Sequence, residues 1–140
     1  MGKMIYPSNM KVPNNLYVQW TDKKGYGVFT DKPIKKGDLI ERCYCIKTGS
    51  PKDHVNETLM DYVFNYPRGV GMDDGAEHVL PLGFGCIYNH SNDNSNAMWD
   101  NTKNIPYHFD FIAIKDIGVG EEICTYYGDE YWPTKTISPV

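Results

Sequence analysis

The residues best suited to chemistry cluster where apolar segments of the chain end. Near the C-terminus, Glu121 to Trp132 reads Glu-Glu-Ile-Cys-Thr-Tyr-Tyr-Gly-Asp-Glu-Tyr-Trp, with four aromatic rings within seven residues. The β-type run Ile123 to Tyr127 ends at Gly128 and then meets two acids, so a strand here would carry the hydroxyl of Tyr127 to its mouth. Taken alone, the rings are better explained as packing, because Tyr and Trp are large apolar bodies with a polar tip. Upstream, Leu82 to Ser91 is an apolar segment that breaks abruptly into Asn89-His90-Ser91. Further back, Gly25 and Gly27 flank Tyr26, a spacing that allows positive φ or a close approach of backbone to a ligand. No helix is expected after them, so they make a weak phosphate loop. Glu121 and Glu122 are adjacent, and neighbours on a strand point to opposite faces; they read as structural rather than as an acid/base pair.

These residues require strands to position them, and the sequence supplies many short ones. Leu16 to Trp20 and Tyr26 to Phe29 are strand formers joined by the turn Asp22-Lys23-Lys24-Gly25, which predicts a hairpin. Asp38 to Lys47 reads as a central strand, with Leu39, Cys43 and Cys45 on one face and Ile40, Tyr44 and Ile46 on the other. Asn56 is a fair N-cap for a short helix through Phe64, ended by Pro67. Further strands are expected at His78 to Leu80, Ala97 to Trp99 and Tyr107 to Ile114, the last alternating Phe109, Phe111 and Ala113 against His108, Asp110 and Ile112. One short helix, many strands and no βαβ rhythm describe a mostly β fold. Residues 1–15 read as a loose arm, 16–132 as one domain and 133–140 as a short tail.

Composition narrows the function classes. A chain of 140 residues with 41% apolar content can bury one core without staples. The cysteines at 43, 45, 86 and 124 form no Cys-x-x-Cys pair and the four histidines are scattered, so free thiols are expected and a metal site is not. Residues 1–50 carry nine basic against four acidic side chains, and 51–140 five against fourteen. The acidic larger part argues against phosphate-backbone binding, so no direct nucleic-acid partner is expected, and it suits a basic peptide. No apolar run approaches the roughly 20 residues that span a bilayer, and no secretory h-region opens the chain, which predicts a soluble, intracellular protein without a membrane partner.

Taken in order, Gly-Tyr-Gly-Val-Phe at 25–29, Lys-Gly-Asp-Leu-Ile-Glu at 36–41, Asn-His-Ser at 89–91 and Gly-Glu-Glu-Ile followed by Tyr-Gly at 120–128 resemble the SET domain, the fold of a class of protein-lysine methyltransferases. The resemblance runs from about Tyr17 to Trp132, and the shortness of the chain is most similar to minimal SET proteins of large DNA viruses and some bacteria. It implies several small sheets with a C-terminal pseudoknot and S-adenosylmethionine as cofactor. Backbone of Lys24, Gly25 and Tyr26 would meet the cofactor's amino-acid end, Asn89 would recognise the cofactor by its side chain, and His90 would meet the adenine largely by its backbone. Tyr127 would be the catalytic tyrosine, Tyr131 and Tyr62 would wall a lysine channel, and Trp132 would pack on the adenine.

The same resemblance implies a histone-like basic tail as substrate, action in the host nucleus if the protein is viral, and a possible homodimer. Departures from the family pattern are Cys86 in place of an Arg, Asn92 in place of a zinc-binding Cys, a loop at Asn92 to Asn96 one residue longer than usual, and Tyr126 before the catalytic position. A non-catalytic peptide-binding module on the same fold is the alternative; a structural metal domain fails on cysteine spacing.

Overall fold

The computed structural model describes residues 13–49, 58, 62–66, 75, 77–101 and 106–126. Their strands are β1 (Leu16–Thr21), β2 (Gly25–Thr30), β3 (Leu39–Gly49), β4 (Phe64–Tyr66), β5 (Glu77–Pro81), β6 (Asn89–His90), β7 (Ala97–Asn101), β8 (His108–Ala113) and β9 (Glu122–Thr125). The fold is mostly β, as expected. The chain divides into two compact units, one holding residues 13–41, 87–99 and 111–126 and the other 42–86 and 100–110.

In the first unit, β1 and β2 form the predicted hairpin, in register from Leu16 opposite Thr30 to Thr21 opposite Gly25. Gly25 sits at φ 74°, a conformation in which a Cβ is crowded, so the turn needs glycine there. β2 pairs antiparallel with β9 through Val28 and Ile123, both fully buried. Phe111, Ile117 and Tyr88 complete this core, and the Tyr88 ring stacks on Phe111 at 4.4 Å between centroids.

Around β9 the chain takes an uncommon path. β6 and β7 both run parallel to it, Asn89 opposite Cys124 on one side and Ala97 opposite Thr125 on the other. The Thr125 carbonyl accepts from Ser91 N at 3.0 Å, whereas the Cys124 carbonyl accepts from Asn96 N at 3.0 Å. Successive carbonyls of an extended strand point to opposite edges, so residues 89–97 pass from one edge of β9 to the other. The strand is thus held through a loop, which connections in proteins generally avoid; this is the pseudoknot that the resemblance implies.

In the second unit, residues 45–49 of β3 pair with β5, with a bulge between Lys47 and Gly49, and β4 pairs with β5 in turn. Val79, Phe109, Cys43 and Cys45 are buried, and the rings of Phe64 and Tyr66 pack on Phe109 at 5.6 and 5.7 Å. Arg42 and Asp110 form a two-bond ion pair at 2.7 and 3.1 Å.

Two local expectations need correcting. The helix predicted from Asn56 through Phe64 lies mostly outside the described residues; Thr58 is helical, but Phe64 opens strand β4. Contacts of its ring with Phe109 outweigh a weak local helix signal. Along β3, Cys43 and Cys45 are buried while Tyr44 and Ile46 are exposed, but Leu39 is exposed and Ile40 and Glu41 are both buried. The two-residue alternation therefore changes phase inside the strand, and Leu39 does not share the burial of the cysteines.

Candidate active site

The first unit gathers five of the sequence-derived site residues, Lys24, Gly25, Tyr26, Asn89 and His90, against β9. Hairpin β1–β2 delivers Lys24 to Tyr26 at its turn, and β6 presents Asn89 and His90. The two glycines have separate reasons. Gly25 provides the positive φ, while Gly27 provides space: a Cβ built there would lie 2.9 Å from Asn89 Nδ2, 3.0 Å from Glu122 Cδ and closer still to Glu122 Oε2.

Asn89 is fixed by its neighbours. Its Nδ2 donates to the Tyr26 carbonyl at 3.1 Å and to Glu122 Oε2 at 2.8 Å. Both partners are acceptors only, which settles the amide orientation and engages both of its hydrogens. What Asn89 offers a ligand is therefore an acceptor, Oδ1, which makes no hydrogen bond among the described residues.

Lys24 contributes more than backbone. Its Nζ donates to the His90 carbonyl at 2.9 Å and lies 3.8 Å from Cys124 Sγ, tying the hairpin turn to both β6 and β9. The ring of His90 is buried, with Nε2 2.6 Å from Asn92 Oδ1 and its centroid 5.2 Å from that of the tilted Tyr126 ring. Burial pushes the Cys124 thiol up to about 11; the neighbouring Glu122 adds to this and Lys24 opposes it. Cys124 is therefore a protonated, unreactive thiol at neutral pH. Tyr26 is exposed, and its ring meets that of Trp20 edge-to-face at 5.1 Å.

Glu122 and Cys124, two residues apart on β9, line a cleft of about 460 Å³ with Lys24, Ser91, Asn94, Asn96, Lys115, Asp116 and Glu121. That volume falls within the range of small-molecule sites. Of the other sequence-derived residues, Tyr62 belongs to the second unit, where its side chain is exposed and its carbonyl receives the Cys86 thiol. Tyr127, Tyr131 and Trp132 lie outside the described residues. Among the described residues, no cluster of His, Cys, Asp or Glu could hold a metal ion, and no helix is long and apolar enough to cross a membrane.

Sequence reading missed two participants. Glu122, read as structural, has its carboxylate on Asn89; the available signal was its shared parity with Cys124 on β9. Asn96, matched only across the longer loop, bonds β9 on both sides of Ile123, through Glu122 O and Cys124 N, each at 2.9 Å.

Comparison with known proteins decides the family. The SET domain model matches residues 25–128, three quarters of the chain. The chain belongs to the SET domain family. A histone-lysine N-methyltransferase of Schizosaccharomyces pombe, described as specific for H3 lysine-37, is 28% identical over 131 residues, 88% of this chain and 82% of that protein. The crystal structure of a Plasmodium falciparum protein described as a candidate histone methyltransferase superposes with a TM-score of 0.62 at 26% identity, covering 86% of this chain and 99% of that one. Membership of the SET family and these relatives support protein-lysine methyltransferase as the class of enzyme.

Proposed function

We propose that the protein is an S-adenosylmethionine-dependent lysine N-methyltransferase acting on a histone or histone-like basic tail. The observation that carries this is the convergence of Gly25-Tyr26-Gly27 and Asn89-His90 on β9, which ends at Thr125, two residues before Tyr127 in the sequence. The site suits the cofactor on its own chemistry. Asn89 presents an acceptor, and Lys24 and Glu122 bring one positive and one negative side chain to the same place, complementing a zwitterionic amino-acid end. In this reading Lys24, Gly25 and Tyr26 hold that end by backbone and Asn89 by its amide, while His90 meets the adenine by its main chain, with Trp132 packed on the adenine.

S-adenosylmethionine supplies an electrophilic methyl on a sulfonium. The protein must deliver a neutral amine in line with it, so positioning contributes most. Keeping a lysine neutral near pH 7 against an ordinary pKa of about 10.4 costs roughly 4 to 5 kcal/mol. An aromatic wall lowers that cost by desolvating the ammonium. Tyr26, Tyr62 and Tyr131 supply the wall in this reading, and the Tyr127 hydroxyl orients the amine. A basic tail also suits the excess of acidic residues in 51–140. A histone substrate places the activity in a nucleus, and the homodimer implied by resemblance is checked by sedimentation.

The test is incubation with labelled cofactor and a panel of histones and lysine peptides. Labelled lysine is expected from the native chain, and Tyr127→Phe is expected to lose the transfer with its circular dichroism unchanged. Equal turnover by the two removes Tyr127 from the chemistry. Cofactor binding without any labelled lysine favours the non-catalytic peptide-binding module.

A further inference from the structure

We propose that Glu122 is the positioning residue that gives Asn89 its polarity, and through it lets the site recognise the α-ammonium group of the cofactor. This rests on the cofactor reading above and extends it to a residue that the sequence alone reads as structural.

An asparagine amide has two donors and one acceptor oxygen, and its end groups exchange by a simple flip. Which end faces a ligand therefore depends on what holds the other end. Here the holders are the Tyr26 carbonyl at 3.1 Å and Glu122 Oε2 at 2.8 Å, neither of which can donate. The backbone carbonyl alone satisfies one hydrogen; the carboxylate satisfies the second with a charge-assisted bond and penalises the flipped amide, which would set two oxygens against each other. With both hydrogens engaged, Oδ1 is the group presented, and it matches a ligand ammonium rather than a carboxylate.

The surroundings indicate that this contact is built in. Gly27 leaves space that any side chain would take from Glu122 and Asn89. Asn96 Nδ2 bonds the Glu122 carbonyl at 2.9 Å, fixing the backbone from which the carboxylate projects. The β2–β9 register sets Glu122 opposite Phe29, alongside the strand that carries Tyr26. Both residues are half-buried, and the bond between them is partly shielded from water.

A purely structural Glu122 would support the fold and affect all ligands alike. A polarity-setting Glu122 affects only ligands that carry the ammonium. The experiment is calorimetric titration of the full chain with S-adenosylhomocysteine and with 5′-methylthioadenosine, which has the same nucleoside and thioether but lacks the amino-acid end. Glu122→Met removes the acceptor at similar length; Glu122→Gln keeps an oxygen for Asn89.

We expect Glu122→Met to weaken S-adenosylhomocysteine about tenfold or more, as befits one hydrogen bond to a charged group, and methylthioadenosine less than about twofold on the same scale. Glu122→Gln is expected to recover most of the affinity. Equal losses for both ligands, or no loss for either, overturn the proposal. If Glu122→Met does not fold, Glu122→Thr, which suits a strand and is too short to reach Asn89, serves with the same outcomes. Failure of the native chain to bind either compound is a different result: it overturns the cofactor reading itself, and the proposal with it.

Discussion

The side chain of Asn96 stands in for a missing strand at Cys124: its Oδ1 accepts from Cys124 N at 2.9 Å while its Nδ2 donates to the Glu122 carbonyl at the same distance. With its own N–H on the Cys124 carbonyl, Asn96 makes three bonds to β9. Asn96→Ala leaves one buried N–H and one carbonyl without these partners, at about 1–3 kcal/mol each. The expected loss is about 2–6 kcal/mol on that basis. It is measured as a lowered urea midpoint at unchanged slope. Asn96→Asp keeps the acceptor for Cys124 but sets oxygen against the Glu122 carbonyl, and should be no more stable than the alanine variant.

Tyr88 and Glu41 form the buried counterpart of that clamp. The phenol donates to Glu41 Oε1 at 2.7 Å, with both residues almost wholly buried. Tyr88→Phe keeps the stack on Phe111 but removes a donor from a carboxyl group, so a loss of about 1.5–3 kcal/mol is expected. Denaturant unfolding measures it; a loss within experimental error would show that Glu41 draws its stabilisation elsewhere.

How much was legible in the sequence depended on the range over which each feature is determined. The hairpin from Leu16 to Thr30 and the alternation of β8 follow from residue types within a few positions, and both were readable. Gly25 and Gly27 were readable as positions that demand glycine, though not that one needs an angle and the other needs room for Glu122. Phe64 was misread because its strand is set by Phe109, 45 residues away in sequence. Glu122 was readable only as a structural residue, because its partner Asn89 is 33 residues upstream. Asn96 looked like loop composition, because its bonds to β9 exist only once residues 89–97 have crossed that strand.

The cysteines predict an alkaline limit. Burial pushes Cys45 up to about 12, and Cys86 and Cys124 up to about 11, against 9.0 for an unperturbed thiol. The folded state therefore holds these protons more tightly than the unfolded chain. Their stabilising contribution is complete below pH 9 and is lost as pH rises from about 9 through 11 to 12. The urea midpoint should fall between pH 8.5 and 10.5, with a shallower fall in Cys45→Ala than in the native chain. Parallel slopes in the two proteins would remove Cys45 as a source of the fall.

Gly27 joins the fold to the site and gives the sharpest test of the geometry around Asn89. A methyl group there would intrude on Asn89 Nδ2 and the Glu122 carboxylate. The backbone has little freedom to retreat, because Gly27 is paired with Gln19 in the β1–β2 ladder. The side chains must yield, and with them the bonds that orient the Asn89 amide. Gly27→Ala is therefore expected to weaken S-adenosylhomocysteine binding about tenfold or more, the scale of a lost charge-assisted hydrogen bond. Gly37→Ala is the matched control: φ is 92° with nothing within 4 Å of the added carbon, so it costs about 1–2 kcal/mol of backbone strain with binding unchanged. Calorimetry and thermal melts on both variants separate the two effects. Native affinity in Gly27→Ala would show that Asn89 and Glu122 shift without consequence, and the coupling drawn between them would fail.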